Sequence, residues 1–323
     1  MSRWPLRVGS LPDLAGPVVG LVVVIALFSL DGDVRPYFLS GRNLILILSQ
    51  TAVVAMAALG MTMVIVSGGI DLSVGSVVAL TSVVCALLLT QPLGPGAAIF
   101  VTVLAGAAVG LVSGVLIGYL RMVPFVVTLG MMGVARGLSK WLAGNQTVNP
   151  GNDSLIGLMS TLSADGAGVV LPDGVWLVAA LGVLLWLVMN HTVFGRHLYA
   201  VGSSEETARL CGIDVARLKT AVYALAGMLF ALAGVLQFAR LTQGDPTVAI
   251  GLELDVIAAV VIGGASLSGG TGSIAGALVG ALIMAVLRNG SNQMGWPNYM
   301  QEIIIGAVIV LAIGLDRFRQ WRG

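Results

Sequence analysis

The chain repeats one pattern from end to end: an apolar segment, then a short polar or glycine-bearing connection. Apolar segments occupy residues 14–30, 44–66, 74–90, 97–120, 125–142, 175–189, 220–239, 254–262, 274–287 and 303–315. As a helix, 44–66 would extend about 35 Å, enough to cross a hydrocarbon core of about 30 Å. Backbone groups in lipid must be satisfied within the segment, which selects helices. Composition points the same way. Charged residues make up 10% of the chain, against about 25% in a typical soluble domain. The expectation is an all-α polytopic membrane protein with about ten transmembrane helices, built as a single domain over residues 1–323.

Several function classes drop out early. A net charge of +1 offers nothing to nucleic acid. Cys85 and Cys211 lie in unrelated contexts, which suggests neither a disulfide framework nor a metal site. The glycine-rich segment 263–273 lacks the Gly-x-x-x-x-Gly-Lys-Ser/Thr arrangement of a phosphate cradle. A catalytic constellation is likewise not visible, so a non-catalytic chain without a cofactor of its own is expected. The 44 glycines fit close helix packing and protected helix breaks.

Charge orients the segments. Ten spans place both termini on one side, and the positive-inside rule makes that side the cytoplasm. Arg3, Arg7, Arg121, Arg196, Arg209, Arg217, Lys219, Arg317, Arg319 and Arg322 then lie inside. Arg35, Arg42, Arg136, Lys140, Arg240 and Arg288 lie outside. The sharpest local contrast is between loop 143–173, acidic only, and segment 192–219, which carries four Lys/Arg. The first apolar segment has a signal-like layout without a clear cleavage site, and a retained helix is expected.

Segment 192–219 reads TVFGRHLYAVGSSEETARLCGIDVARLK. Ser203 or Ser204 is placed to cap a short helix with Glu205 and Glu206 in its first turn. Gly212 fits its C-terminal stop, and Asp214 can cap the helix that follows. Such an element is either a solvated loop with ordinary caps or a projecting helix that docks a soluble subunit.

Two glycine-marked breaks resemble each other: Gly68-Gly69-Ile70-Asp71-Leu72-Ser73 and Gly263-Gly264-Ala265-Ser266-Leu267-Ser268. The span count makes them copies in the same orientation; the other readings are a local coincidence, one span more or fewer than counted, or a re-entrant segment at one of the breaks instead of a simple turn. Asp71 beside a break is costly in lipid unless it caps a helix, pairs, or meets a translocated solute. Ser73, Ser266 and Ser268 are further capping or path candidates. Gln50, Gln237, Asn289, Asn292 and Gln301 are amides that either link helices or hydrogen-bond a polar solute. His191 and His197 read as interfacial.

Four stretches carry a family resemblance: GGIDLSVGS at 68–76, FGRHLYAVGSSEETARLCG at 194–212, ELDVIAAVVIGG at 253–264 and LSGGTGSIAG at 267–276. In this order and spacing the chain resembles the permease subunits of bacterial ABC importers for monosaccharides of the ribose, arabinose, xylose and galactose type. Branched-chain amino-acid permeases are more distant kin. The resemblance covers nearly the whole chain and implies a type II ABC importer-like permease fold in the bacterial cytoplasmic (inner) membrane. It implies a cytosolic ABC ATPase holding ATP and Mg, a homologous or identical permease subunit, and a periplasmic or lipid-anchored sugar-binding protein. The loop 192–219 would supply the coupling helix, with Glu205, Glu206, Ala208, Arg209 and Gly212 facing the ATPase. Asp71, Ser73, Gln50, Gln237, Ser266 and Ser268 are candidates for the path or the helix breaks. Selectivity would reside mostly in the binding protein, so a weakly polar cavity without a deep charged pocket is expected. Other readings are a permease for amino acids or another small polar solute, an ion-coupled secondary transporter, and a membrane assembly protein without transport.

Overall fold

The computed structural model describes residues 11–151, 155–162, 168–297, 299–307, 310 and 314. Arg3, Arg7, Asp153, Asp165, Arg317, Arg319 and Arg322 lie outside the described residues. The helices are α1 (Leu11–Ser29), α2 (Arg35–Phe38), α3 (Gly41–Val66), α4 (Val74–Leu89), α5 (Pro95–Gly118) and α6 (Pro124–Leu142). They continue with α7 (Asp173–His191), α8 (Val193–Ser203), α9 (Glu205–Leu210), α10 (Val215–Leu241), α11 (Leu252–Ile262) and α12 (Ile274–Gln293). Residues 299–307 are also helical. A fold of helices alone is what the apolar segments predict.

Five helices, α3, α5, α7, α10 and α12, are long and apolar enough to cross a membrane by themselves. Two others fall short for a structural reason. Helix α4 has 16 residues and α11 has 11, so they rise about 24 and 16 Å against a core of about 30 Å. Each adjoins non-helical backbone that is shielded by protein instead of facing lipid.

Helix α10 is the centre of the bundle, packed by α5, α3 and α4. Its closest partner is α5, where Gly106, Gly110, Gly114 and Gly118 recur every fourth residue and form one stripe. A Cβ at Gly106, Gly110 or Gly118 would strike the carbonyls of Gly227, Tyr223 or Ala216 on α10. The two backbones therefore touch, and dispersion replaces the hydrophobic drive that lipid removes. Thr220 stitches the seam by donating its hydroxyl to the Gly114 carbonyl at 3.1 Å and the Ala216 carbonyl at 2.9 Å. Another face of α5 leaves Leu104, Leu111 and Val115 exposed, and Tyr119 just past its end is exposed too.

The connection after α10 differs from the simple polar loop expected over 240–253. Thr242 turns the chain at φ 59°, and Gly244 makes a two-way antiparallel bridge with Val148 at 2.8 Å each way. The segment then runs down the side of α4. Gly244 lies on Ser82 and Val83, and Ala249 lies on Gly75, a descent of roughly 10 Å. Arg136 of α6 holds it there, donating to the carbonyls of Pro246 at 2.9 Å and Val248 at 2.7 Å. Non-helical backbone thus folds back along the bundle before α11. It is tolerated because protein donors meet its carbonyls.

Candidate functional site

The two glycine breaks meet. Both begin with the same helix stop, in which a glycine in left-handed backbone reverses the last turn. At α3, Gly68 (φ 80°) donates to the Ile65 carbonyl and Gly69 to the Val64 carbonyl. At α11, Gly264 (φ 95°) donates to Val261 and Ala265 to Val260. The geometry shifts the sequence pairing by one: Gly68 corresponds to Gly264, and Asp71 to Leu267 rather than Ser266. The Gly270 amide donates to the Val66 carbonyl at 3.0 Å, joining the breaks directly. They lie at one end of the bundle, so the two helix–break–helix units run in the same sense.

Helix α8 closes the same junction. A Cβ on Gly202 would collide with the Val66 carbonyl and the Gly270 amide. Tyr199 donates its hydroxyl to the Gly272 carbonyl at 2.8 Å, and burial pushes that phenol up to about 12, so it stays a donor. Thr128 of α6 donates to the Ile70 carbonyl at 3.1 Å. Backbone from α3, α8 and the second break is therefore in contact around Gly202.

Helix α9 projects from this junction with every cap satisfied. Ser204 accepts from the Thr207 amide at 3.2 Å. Gly212 and Ile213 donate to the Arg209 and Ala208 carbonyls, and Asp214 accepts from the Arg217 amide at 3.0 Å to start α10. Ala208 is 3% exposed and seats the helix, whereas Leu210 is 84% exposed at its tip. The two glutamates differ. Glu205 is held between Arg209 and Lys219, while Glu206 is exposed and has no partner among the described residues.

At the other end of the bundle a cavity of about 350 Å³ opens among α3, α10, α11 and α12, at the small end of ligand-site volumes. Its polar lining is Gln50, Gln237, Arg240, Asp255, Arg288 and Asn292. The folded-back residues 248–250 complete one wall. Gln50 lies about 24 Å along α3 from Val66, and Arg288 about 21 Å along α12 from Ile274. Asp255 is paired with Arg288. The amides of Gln50 and Gln237 and the Arg240 guanidinium have no protein partner among the described residues, so their donors are available to a solute.

Known proteins show what the chain is similar to. The family model described as branched-chain amino acid transport system / permease component matches residues 43–313. The ribose import permease protein RbsC of Escherichia coli K12 is 40% identical over 303 residues, covering 93% of each chain. RbsC of Bacillus subtilis 168 is also 40% identical, over 94% of this chain and 92% of its own. The L-arabinose ABC transporter permease protein AraH of Azospirillum brasilense is 36% identical, over 97% and 90%. The chain belongs to the permease family of bacterial monosaccharide ABC importers. No solved structure matches. Permeases of this family are non-catalytic multi-pass membrane subunits that work with an ATPase and a binding protein.

Within this permease the sequence-selected residues separate. Gln50 and Gln237 share the cavity. Asp71 and Ser73 do not reach it: Asp71 accepts from the Ser73 amide at 2.8 Å and hydroxyl at 2.6 Å, a closed turn before α4. Neither side chain caps the α4 amides, which differs from the capping role expected of them. Ser266 and Ser268 lie in the second break with their hydroxyls 2.8 Å apart. Asn289 exchanges amide bonds with Asn43 at 3.0 Å, a helix link. The expected weakly polar cavity is corrected, because two arginines and an aspartate line it. Asp255 was the missed signal: a carboxylate inside the apolar run ELDVIAAVVI needs a cationic partner from another helix.

Proposed function

We propose that this permease passes a monosaccharide from the cavity toward the α8–α9 end, where α9 docks the ATPase in the cytoplasm. The observation that carries this reading is the Gly202 junction. Displacement of α9 passes through α8 into both glycine breaks, and α3, α11 and α12, which adjoin those breaks, wall the cavity. Residues 192–219 act as the coupling element, with Glu206 and Leu210 facing the ATPase and Arg209 paired with Glu205. Ala208 and Gly212 shape the helix, and Glu205 anchors it. The remaining apolar segments complete about ten spans with both termini cytoplasmic, in the inner membrane, and a second permease subunit completes the path.

The lining suits a hydroxyl-rich solute. Amide and guanidinium donors suit hydroxyl oxygens, and Asp255 is already neutralised by Arg288, which leaves no free carboxylate for an amino-acid ammonium group. The names of the relatives make ribose the first sugar to test.

Native cysteines supply the test. Cys211 is exposed beside α9 and Cys85 is buried. A membrane-impermeant maleimide should modify Cys211 in inverted vesicles, not in intact spheroplasts, and the bound ATPase should shield it. Labelling from the outer face, or labelling unaffected by the ATPase, would overturn the reading.

A further inference from the structure

The turn between α5 and α6 lies against the coupling element. A groove of about 430 Å³ runs between them, lined by Tyr119, Arg121, Arg209, Ile213, Asp214 and Ala216 among others. Its charges do not cancel. Asp214 is spent on the Arg217 amide at 3.0 Å and the Arg217 guanidinium at 3.1 Å. Arg209 gives one nitrogen to Glu205 and keeps further N–H groups. Arg121 is exposed with no partner among the described residues.

Two further features say what the groove faces. The exposed apolar stripe of α5, through Leu104, Leu111 and Val115, ends in Tyr119 at the groove's rim. Beyond it, Met122, Val123, Phe125 and Val126 are exposed as well. An apolar stripe closing on a tyrosine and an arginine is the side-chain pattern of a bilayer interface. Arg121 also stands in left-handed backbone, at φ 53°. That conformation costs an L-residue about 1–2 kcal/mol and suits glycine better.

We infer that this groove is a binding site for an anionic phospholipid, with its phosphate between Arg121 and Arg209 and an acyl chain along the exposed stripe of α5. The inference rests on the reading that this end of the bundle faces the cytoplasmic leaflet. Such a lipid would brace the base of α9 against the bundle.

Native mass spectrometry of the purified permease, titrated with dioleoyl-phosphatidylglycerol or dioleoyl-phosphatidylcholine, tests it. Arg121→Gly keeps the left-handed turn and removes the charge, and its melting in phosphatidylcholine reports the fold. Preference for phosphatidylglycerol should fall roughly five- to tenfold in Arg121→Gly, and Arg121→Lys should retain most of it. Equal binding of the two lipids, or unchanged preference in a folded Arg121→Gly, would overturn the site. Unchanged lipid preference with lost ATPase association would assign the groove to the protein partner instead. ATPase binding by Glu206→Arg, scored without added lipid, reports the coupling reading separately.

Discussion

The two ends of the bundle are built from opposite materials. Around Gly202 contact is backbone on backbone, with little room for a side chain. Around Gln50 and Gln237 it is side chain on side chain, with open volume and unpartnered donors. Close-packed glycine junctions move as units because nothing in them can change rotamer. Long polar side chains around a cavity can rearrange when a solute arrives. On the proposed reading, the difference separates an end that transmits displacement from an end that accommodates cargo.

The largest effect should come from filling the junction. Gly202→Val places a branched side chain on the Val66 carbonyl and the Gly270 amide, a cost on the order of 3 kcal/mol or more. We expect little folded permease in membranes, measured by yield and melting. A folded Gly202→Val with normal uptake would break the contrast between the two ends.

Next is Arg288→Met, which leaves Asp255 enclosed without its cation. We expect a loss of about 2 kcal/mol, below the full cost of a buried pair because Arg288 is itself near half exposed. Sugar uptake should fall at least roughly tenfold, the size set by losing one charge-assisted contact, while ATPase association stays unchanged. Gln237→Leu sharpens the point: melting should hold while uptake falls. Loss of ATPase association in either variant would mean that the ends are not separable.

Within α9 the two glutamates should part company. Glu206→Arg should weaken ATPase association in a pull-down with unchanged melting, since Glu206 has no partner among the described residues. Glu205→Gln should mainly loosen α9 and Lys219, by about 1 kcal/mol or less for partly exposed pairs. Reversing both together should impair ATPase assembly or uncouple hydrolysis in an inserted permease. The smallest effect is Ser204→Ala, a lost cap worth about 1 kcal/mol of local helix stability, read as faster amide exchange across 205–210.

Much of this was legible without coordinates. Hydropathy showed the helices because a membrane leaves the backbone few choices. Ser203 or Ser204, Gly212 and Asp214 marked the ends of α9 and the start of α10, because caps are local chemistry between residues a few positions apart, and the structure selects Ser204. The resemblance between the breaks was also visible, although the shared stop at Gly68 and Gly264 sets their alignment one residue away from the sequence match.

What stayed hidden depends on contacts distant in sequence. Nothing near Arg136 indicates that it holds carbonyls more than a hundred residues later, and nothing near Gly202 names Val66 or Gly270. Asp255 and Arg288 look costly when read alone and become a pair when α11 packs on α12. The sequence by itself determined the apolar helices, the glycine breaks and the caps around α9, since each follows from residues within one or two turns, whereas the cap expected of Asp71 or Ser73 closed on itself instead. Tertiary structure alone decided that the breaks share a junction, that segment 242–251 folds back along the bundle, and that charged side chains line the cavity. Each of those depends on which helix faces which, and local chemistry does not encode that.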